Sequence, residues 1–559
     1  MVTRLLAALG REIKGLHEAA YLLATFAVLS QLLALVRDKI LAFMFGASSA
    51  LDVYYGAFRI PDLLFVSIGS LVSASVLLPY FVERFSSGEE TGKRFLDSIF
   101  SIFFIAMTLS CAVVFVLMPQ IAKLLIPGLA EGPFAHEFIL SARIMLLSPF
   151  LLGLSNLFSS VTQMRQRFLV FAASPVVYNI GIIAGILFFY PTLGLPGLAW
   201  GVALGALLHM AIQVPFLTSH HLLPRLRFSI EWSRIKHVVL TSFPRTLTLS
   251  ANQLASFFLV SLASLMSGGS IAVFTLGFNL QSVPLTIIGA SYSSAVFPVL
   301  SKYFVEGDRS AFIEKMVSAS RHIIFWVVPA TVLFIVLRAQ IVRVIYGAGQ
   351  FDWSDTRLTA AVLALFIISA LGQSLVTLFV RAYYAEGKTR RPMLINLISA
   401  ISIVVLGYVL TKAFVYVPLF AFFIEDLLKV SGQTGTVVLA LPIAYTLGVL
   451  LNTYLHWHMF ERDYPGYSRP VFSSLFHNFS ASVIMGYVAY LGLRLFSFFP
   501  LERAWGLFLQ GLCAGLLGVA VGVFILVLMR NQEIAEVWQA LHRKIWKAKV
   551  VVSEQEGAL

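Results

Sequence analysis

Long runs of apolar residues recur along the chain from Tyr21 to Val527, separated by short polar segments. A helix that crosses the hydrocarbon core of a bilayer needs about 20 mostly apolar residues. The pattern therefore predicts an all-α, polytopic membrane protein with about fourteen spans. The predicted spans cover residues 19–46, 49–82, 93–118, 136–163, 168–189, 195–218, 237–267, 270–303, 311–337, 355–384, 391–413, 433–457, 472–497 and 504–530.

The composition supports a membrane environment and excludes several other classes. Of 559 residues, 59% are hydrophobic and 12% are charged, whereas ordinary soluble domains carry about 25% charged residues. A water-soluble fold of this length would leave too much apolar surface exposed. The net charge of +13 does not indicate nucleic-acid binding, because the basic residues lie mainly in short loops. Cys111 and Cys513 lie in separate predicted spans and predict neither a disulfide framework nor a metal site.

Basic residues are unevenly distributed between the two sets of loops. Lysine and arginine accumulate in cytoplasmic loops, so the asymmetry predicts that both termini are cytoplasmic. Residues 1–18 are predicted to be an amphipathic segment without a signal-peptide cleavage motif. Residues 531–559 are predicted to form an interfacial helix or, alternatively, a solvated tail. The cytoplasmic loops contain Arg84, Lys93, Arg94, Arg165, Arg167, Arg225, Arg227, Arg234, Lys236, Lys302, Arg309, Lys315, Lys388, Arg390, Arg391, Arg462 and Arg469, against Lys123, Arg338, Arg343, Lys412, Lys429 and Arg503 outside.

Several segments of the first half resemble segments of the second half at a nearly constant offset of roughly 217–220 residues. Because six spans separate the copies, both have the same orientation in the membrane. The repeat predicts two six-helix lobes, 19–230 and 231–460, related by a pseudo-twofold axis along the membrane normal, with spans thirteen and fourteen (461–530) outside it. The matching pairs are 57–81 with 277–304, 115–129 with 335–349, and 175–179 with 392–396.

Three arginines are candidates for binding an anionic head group: Arg37 in span one, Arg59 in span two and Arg245 in span seven. A charge near the bilayer centre costs about 2.5–3.5 kcal/mol on insertion scales, so it usually faces a cavity and has a partner. Guanidinium geometry favours phosphate oxygens. We therefore expect these arginines to face a water-filled lumen between the lobes.

The acidic residues beside these arginines allow a structural interpretation. Pairs such as Arg37–Asp52 or Arg59–Asp62 would simply hold helices together. For Asp38 and Asp52 we favour this structural role.

Proline and glycine interrupt two spans at equivalent places. Pro61 and Gly69 in span two, with their counterparts Pro284 and Gly289 in span eight, are candidate hinges. The alternative is a plain helix kink.

Catalytic motifs are missing from the sequence, so an enzyme is not expected. The histidines of HWH at 456–458 point to different faces of a helix and cannot form a zinc pair. There is no HExxH, no GxSxG and no P-loop lysine motif. We expect neither a cofactor nor a metal. We expect transport to be coupled to an ion gradient, the membrane potential or a partner's supply of substrate.

Three segments together resemble the MurJ-type lipid II flippases of the multidrug/oligosaccharidyl-lipid/polysaccharide exporter superfamily. Residues 33–64 resemble the family's signature of Arg-Asp in span one, a Phe-Gly turn, and Asp with Phe-x-x-Pro-Asn/Asp in span two. Residues 346–363 and 381–396 resemble its Tyr-Gly-x-Gly-x-Phe and Tyr-Tyr-Ala-x-x-x-Thr-x-x-Pro motifs. The similarity runs from about Ala19 to Phe460.

The resemblance implies two lobes around a central cationic cavity that opens alternately to cytoplasm and periplasm. It also implies that 461–530 forms an apolar groove for a polyprenyl tail. By motif, Arg37 matches the family's span-one arginine, Asp52 its span-two aspartate, Asp62 the asparagine after the proline, and Gln253 its span-seven glutamine.

The sequence departs from the family pattern at several cavity positions, which marks it as a divergent member. Family charges are replaced by neutral residues, and Arg245, beside Gln253, is a candidate replacement for part of that charge. The neutral residues are Gln31, Phe65, Asn279 and Ser282, of which Asn279 remains a candidate cavity residue.

The function implied is translocation of lipid II, the undecaprenyl-diphosphate-linked peptidoglycan precursor, across the inner membrane by alternating access, in support of cell-wall biogenesis and cell shape. The alternatives are a flippase for another lipid-linked oligosaccharide, a multidrug or ion antiporter of the superfamily, or a non-transporting scaffold. Expected partners are the anionic lipid-linked glycan, membrane lipids and cell-wall synthesis enzymes, with a monomeric chain and no nucleic acid.

Overall fold

The computed structural model describes residues 16–72, 74–227, 253–500 and 503–538, and helices account for most of them. They include short 3₁₀ turns at Gly69–Val72 and Thr436–Leu439 and π-helical turns at Gly185–Phe189 and Leu285–Ala290. The helices are Leu16–Phe45, Ser49–Ala57, Arg59–Ser67, Ala74–Ser86, Glu89–Leu125, Pro127–Ala130, Ala135–Met145, Leu147–Met164, Phe168–Ala184, Tyr190–Leu193, Leu195–Ala211, Val214–Ser219, Gln253–Ser264, Ser270–Pro284, Ser291–Val305, Arg309–Val336, Arg338–Tyr346, Trp353–Ile367, Ser369–Ala385, Arg390–Tyr416, Pro418–Leu428, Ala440–Asp463, Ser468–Leu495 and Ala504–Leu528.

The helices coincide with the predicted spans, and the all-α polytopic fold is confirmed. Within the described residues, 10 helices are long and apolar enough to cross a membrane; span seven is described only from Gln253 onward. Helix Glu89–Leu125 exposes large apolar side chains, with Leu109 61% and Val116 67% exposed. Such surfaces require lipid as solvent, and helices suit lipid because they satisfy their own backbone hydrogen bonds.

Two compact units divide the described chain. The first contains residues up to Phe278 together with Ile345–Val362 and Thr389–Gly448. One apolar core of this unit joins spans two, three and four around Phe81, Leu96, Met107, Leu157 and Val161.

Spans five and six of the first unit approach each other through glycines. A Cβ on Gly181 would lie 2.4 Å from the Cα of Gly205, and one on Gly185 would lie 2.1 Å from the Cα of Gly201. Small residues allow this close backbone packing, which replaces the hydrophobic effect as a source of helix association in lipid.

The second unit contains Asn279–Val344, Leu363–Lys388 and the chain from Val449 onward. Its core is aromatic, with Phe312, Phe379, Tyr383, Phe460 and Tyr467 all buried. Span thirteen packs on span nine, and span fourteen packs on span thirteen. The lobes 19–230 and 231–460 are a different division of the chain and stay a prediction, as does the tail groove of 461–530.

Both candidate hinge regions interrupt a span. In span two the helix breaks at Phe58, and Pro61 lies in the first turn of the following helix, where its missing N–H is tolerated. In span eight Pro284 is followed by the π-helical turn Leu285–Ala290. Gly289 has a packing reason as well, because a Cβ there would lie 2.5 Å from the Ser374 Oγ. Movement at these positions stays a prediction.

The C-terminal tail is described as far as residue 538 and differs from an isolated interfacial helix. Ile534 and Val537, which an interfacial helix would turn toward lipid, pack on a small core of Phe325, Ala481 and Leu526. The start of the tail therefore docks on protein, because that buries its apolar side chains. Most of 1–18 and all of 539–559 lie outside the described residues.

Candidate functional site

Asp52, at the start of span two, caps the first turn of span eight. Its Oδ2 accepts a hydrogen bond from the backbone N–H of Gly269 at 2.6 Å, and its Oδ1 accepts one from Ala272 at 2.7 Å. A carboxylate there satisfies free N–H groups and complements the helix dipole. Gly269 has φ +89°, and a Cβ would lie 2.0 Å from the Ala47 carbonyl oxygen, so the cap requires glycine.

Asp355, at the start of span ten, makes a second contact of this kind. Its Oδ2 accepts a hydrogen bond from the backbone N–H of Ala47 at 3.0 Å. Nearby, the N–H of Gln350 donates to the carbonyl oxygen of Phe43 at 2.9 Å. Both carboxylates therefore join the first sequence repeat to segments of the second repeat, inside one compact unit. We call these two residues, Asp52 and Asp355, the capping carboxylates.

Arg37 lies in span one and is largely paired. Its Nη2 contacts the Asp38 Oδ1 at 2.8 Å and its Nε donates to the same oxygen at 2.9 Å. Its Nη1 donates to the Asn179 Oδ1 at 3.3 Å. The Asp38 side chain is only 2% exposed, so a buried carboxylate and an amide share the arginine. The ion pair between Arg37 and Asp52, which the structural interpretation allowed, does not form, because Asp52 accepts hydrogen bonds from backbone N–H groups instead.

Arg59, one residue after the helix break in span two, makes fewer and longer hydrogen bonds than Arg37. Its Nη2 lies 3.5 Å from the Thr275 Oγ1, and its buried Nε has no hydrogen-bond partner among the described residues. Asp62 is one helical turn away, near enough for the two charges to interact, although the described residues show no direct ion pair between them. Buried polar groups are normally satisfied, so Arg59 retains unused donor capacity.

Two adjacent tyrosines complete this region. Tyr54 and Tyr55 are buried, and their hydroxyls have no hydrogen-bond partner in the described part of the chain. The Tyr54 ring meets the rings of Tyr55 and Phe58 edge to face, with centroids 5.2 Å apart in each pair. We call Arg37, Asp38, Arg59 and Asp62, the charged residues of spans one and two that the sequence analysis selected, the charged cluster.

The remaining candidates are not part of the charged cluster as described. Arg245 lies outside the described residues. Gln253 is exposed, and Asn279 is partly buried in the second unit, where its carbonyl oxygen accepts a hydrogen bond from the Ser282 hydroxyl at 2.7 Å. A substrate role for Arg245, Gln253 and Asn279 stays a prediction.

Sequence reasoning did not select Asn179, Thr275, Tyr54, Tyr55 and Asp355. One signal was available for Asn179, because it ends the segment 175–179 that repeats at 392–396. The others stand in apolar or loop sequence, and only helix packing gives them charged or backbone partners.

A metal site is not indicated within the described residues, which contain no group of three or more histidine, cysteine or acidic side chains. The two histidines of HWH do point apart. His456 is buried and its Nδ1 lies 3.1 Å from the Asn452 carbonyl oxygen, whereas His458 stacks on Tyr454.

Membrane-spanning helices built on an internal repeat, with arginines inside the spans, define a polytopic transporter. The family model described as "Lipid II flippase MurJ" matches residues 41–509, and the chain belongs to that family. This membership confirms the recognised family, and with it a transporter rather than an enzyme.

Individual relatives agree with this assignment, and two solved structures share the fold. A "Probable lipid II flippase MurJ" of Buchnera aphidicola is 29% identical over 66% of this chain and 72% of its own. One from Thermotoga maritima is 25% identical over 93% and 97%. The structure of "Lipid II flippase MurJ, inward closed conformation" has TM-score 0.73 and 20% identity, covering 92% of this chain and 99% of that one. An inward-facing MATE family transporter of the MOP superfamily has TM-score 0.62 at 16% identity, covering 79% and 96%.

Proposed function

We propose that this chain moves lipid II from the inner to the outer leaflet of the inner membrane by alternating access, with both termini in the cytoplasm. Its family membership and its similarity to lipid II flippases support this substrate. The excess of basic residues in the predicted cytoplasmic loops supports the orientation. The role is therefore in peptidoglycan synthesis.

The observation that carries the proposal is the incomplete bonding of Arg59. Its Nε has no partner among the described residues, and Thr275 lies at the limit of hydrogen-bond distance, 3.5 Å. A diphosphate offers several charged oxygens, and charge-assisted bonds from guanidinium to phosphate are short and strong. Arg59 would bind the diphosphate directly, whereas Arg37 would act mainly through Asp38 and Asn179. Arg245 would add a further positive charge.

The capping carboxylates support the alternating-access part of the proposal. Asp52 and Asp355 accept direct hydrogen bonds from backbone N–H groups of other segments, among them those of Gly269, Ala272 and Ala47. A capping side chain of this kind contributes about 0.5–2 kcal/mol, so the two carboxylates together favour one state and still allow it to reverse. The capping carboxylates would hold the periplasmic side of the transporter closed while its cytoplasmic side is open. Pro61, Gly69, Pro284 and Gly289 would accommodate the movement.

A flippase for another lipid-linked oligosaccharide is the second candidate. The neutral residues Gln31, Phe65, Asn279 and Ser282, at positions where the resemblance implies charge, favour a changed head group. An antiporter is less well supported, because the acids of spans one and two are engaged. Asp38 binds Arg37, Asp52 binds backbone, and Asp62 lies beside Arg59. An ion gradient or the membrane potential would drive transport, with cell-wall synthesis enzymes as partners.

The test is functional replacement in cells whose own lipid II flippase is depleted. Precursor is labelled separately in the two leaflets, with and without expression of the full chain. We expect lipid II to accumulate in the inner leaflet on depletion and to return to the outer leaflet on expression. A parallel strain depleted of an oligosaccharide-lipid flippase provides the competing arm. Rescue of that strain alone would replace lipid II by the second candidate, and rescue of neither would contradict transport of both lipids.

A further inference from the structure

A cavity of about 600 Å³ lies between spans three, four and six of the first unit. Helices Glu89–Leu125 and Ala135–Met145 supply most of its wall, and Leu147–Met164 and Leu195–Ala211 complete it. None of the charged cluster lines it. The lining is almost wholly apolar, with a single formal charge, and consists of Phe104, Thr108, Cys111, Ala112, Phe115, Leu140, Arg143, Ile144, Leu146, Leu147, Phe150 and Trp200.

The cavity is elongated along two antiparallel helices. At one end the rings of Phe104 and Phe150 meet edge to face, with centroids 5.3 Å apart. In the middle the Cys111 thiol lies 3.6 Å from the Leu146 carbonyl oxygen, and at the other end Arg143 meets Phe115. Phe104 to Phe115 is about eleven residues, or about 16 Å of helix. That is about half of a hydrocarbon core of about 30 Å, so the cavity has the depth of one leaflet.

Arg143 marks the end of the cavity that is nearest the loop 126–134. Its Nε donates to the Phe115 carbonyl oxygen at 3.0 Å, and its guanidinium lies 4.9 Å from the centre of the Phe115 ring. It forms no ion pair with any described residue. A carbonyl and a ring orient the guanidinium but leave its charge uncompensated.

The cavity opens toward the surroundings rather than into the protein. Phe115 is 49% exposed, Leu147 43% and Trp200 44%. The same helix exposes further large apolar side chains, Leu109, Val113 and Val116, and such a surface requires lipid as its surroundings. An open apolar space of one-leaflet depth with a cation at its head-group end matches an amphipathic anion. A lipid without net charge would leave the positive charge of Arg143 uncompensated, whereas an anionic lipid would neutralise it.

We propose that this cavity binds one anionic diacyl phospholipid, with an acyl chain along Phe104–Phe115 and its phosphate on the Arg143 guanidinium. In the predicted orientation this is a lipid of the outer leaflet. The site is separate from the charged cluster and goes beyond the transport function. A long polyprenyl tail exceeds the one-leaflet depth, which is why a phospholipid is the occupant.

Native mass spectrometry of the full purified chain, exchanged into detergent with defined phosphatidylglycerol or phosphatidylethanolamine, tests the proposal. We expect one phosphatidylglycerol to remain bound per chain and phosphatidylethanolamine to be lost. Arg143→Gln should lower phosphatidylglycerol retention at least tenfold. Ala112→Phe, which fills the cavity and keeps the arginine, should do the same.

Two matched variants control for general effects. Arg494 also stacks on a ring, that of Tyr490 at 5.2 Å, but does not line the cavity, so Arg494→Gln should retain the lipid. Val113 is exposed on the helix that carries Ala112 and lies outside the lining, so Val113→Phe should be neutral. Full retention by Arg143→Gln would overturn the proposal. Equal binding of both lipids would also overturn it, because the charge would then play no part.

Discussion

Arg59 in the first unit and Arg321 in the second unit are both arginines within predicted spans, yet their bonding differs. Arg321 donates from Nε to the Glu533 Oε1 at 2.7 Å and from Nη2 to the Gln532 Oε1 at 2.7 Å. Glu533 is further bound by the Ser474 hydroxyl at 2.6 Å. Arg59 has one contact at 3.5 Å and an Nε without a partner among the described residues.

The difference separates a charge that holds structure from a charge that is available to a ligand. Burial alone raises the pKa of Glu533, which lies beyond the last span, but hydrogen bonds from Arg321 and Ser474 outweigh it and leave that pKa below its ordinary value. The carboxylate is therefore stabilised by its neighbours, and the pair fastens the start of the tail to spans nine and thirteen. Arg59 has no comparable partner among the described residues, and a bound anion would supply acceptors for its N–H groups.

The largest expected effect comes from breaking the pair in the second unit. Glu533→Ala leaves Arg321 without its carboxylate, and breaking a buried ion pair costs about 3–5 kcal/mol. Because the Arg321 side chain is 22% exposed, we expect a value of about 3 kcal/mol, at the lower end of that range. The measurement is thermal unfolding of the purified chain in nanodiscs, with transport falling only as far as protein abundance falls.

Glu536→Ala is the matched control for this variant. Glu536 contacts the His322 Nε2 at 3.2 Å, but its side chain is 55% exposed. Exposed pairs contribute about 0–1 kcal/mol, so its melting temperature should hardly change. Equal destabilisation by both variants would show that the tail as a whole, and not the buried pair, carries the stability.

Arg59→Gln tests the other half of the comparison. Losing one or two charge-assisted bonds to phosphate, each about 1.5–3 kcal/mol, should lower transport by about 10-fold or more. Stability should change less than in Glu533→Ala, because Arg59 has one contact at 3.5 Å and no direct ion pair with Asp62 among the described residues. The measurement is leaflet-resolved lipid II transport, normalised to membrane abundance.

Arg59→Lys keeps the charge and loses the planar fork of donors, so we expect intermediate transport. Normal transport by Arg59→Gln at normal abundance would remove Arg59 from the substrate site. Strong destabilisation would instead place it with Arg321 as a structural charge.

The smallest expected effect concerns the cap at Asp52. Replacing a helix N-cap by alanine costs about 0.5–2 kcal/mol, so Asp52→Ala should speed hydrogen exchange of the Gly269 and Ala272 amides by about tenfold. Asp52→Asn retains a side-chain acceptor and should change exchange less. Unchanged exchange in Asp52→Ala would show that span eight keeps its first turn without this carboxylate.

The sequence by itself determined the spans, the repeat and the family. Apolar runs of membrane length have few alternatives, since lipid requires every backbone group to be satisfied within a helix. The pairing of Arg37 with Asp38 was also foreseeable, because the two residues are adjacent. The motifs of 33–64 and 346–396 sufficed for the family because they combine several fixed spacings.

Only the tertiary structure decided the partners of the other charges. Asp52 binds amides 217 and 220 residues away, and Glu533 binds an arginine 212 residues away. Such pairs depend on the rotation and register of packed helices, and the pattern of apolar residues in the sequence does not specify either. The helix break at Phe58, rather than at Pro61, and the docking of Ile534 on protein have the same origin. The helix break and the docking both depend on the surfaces that neighbouring helices present.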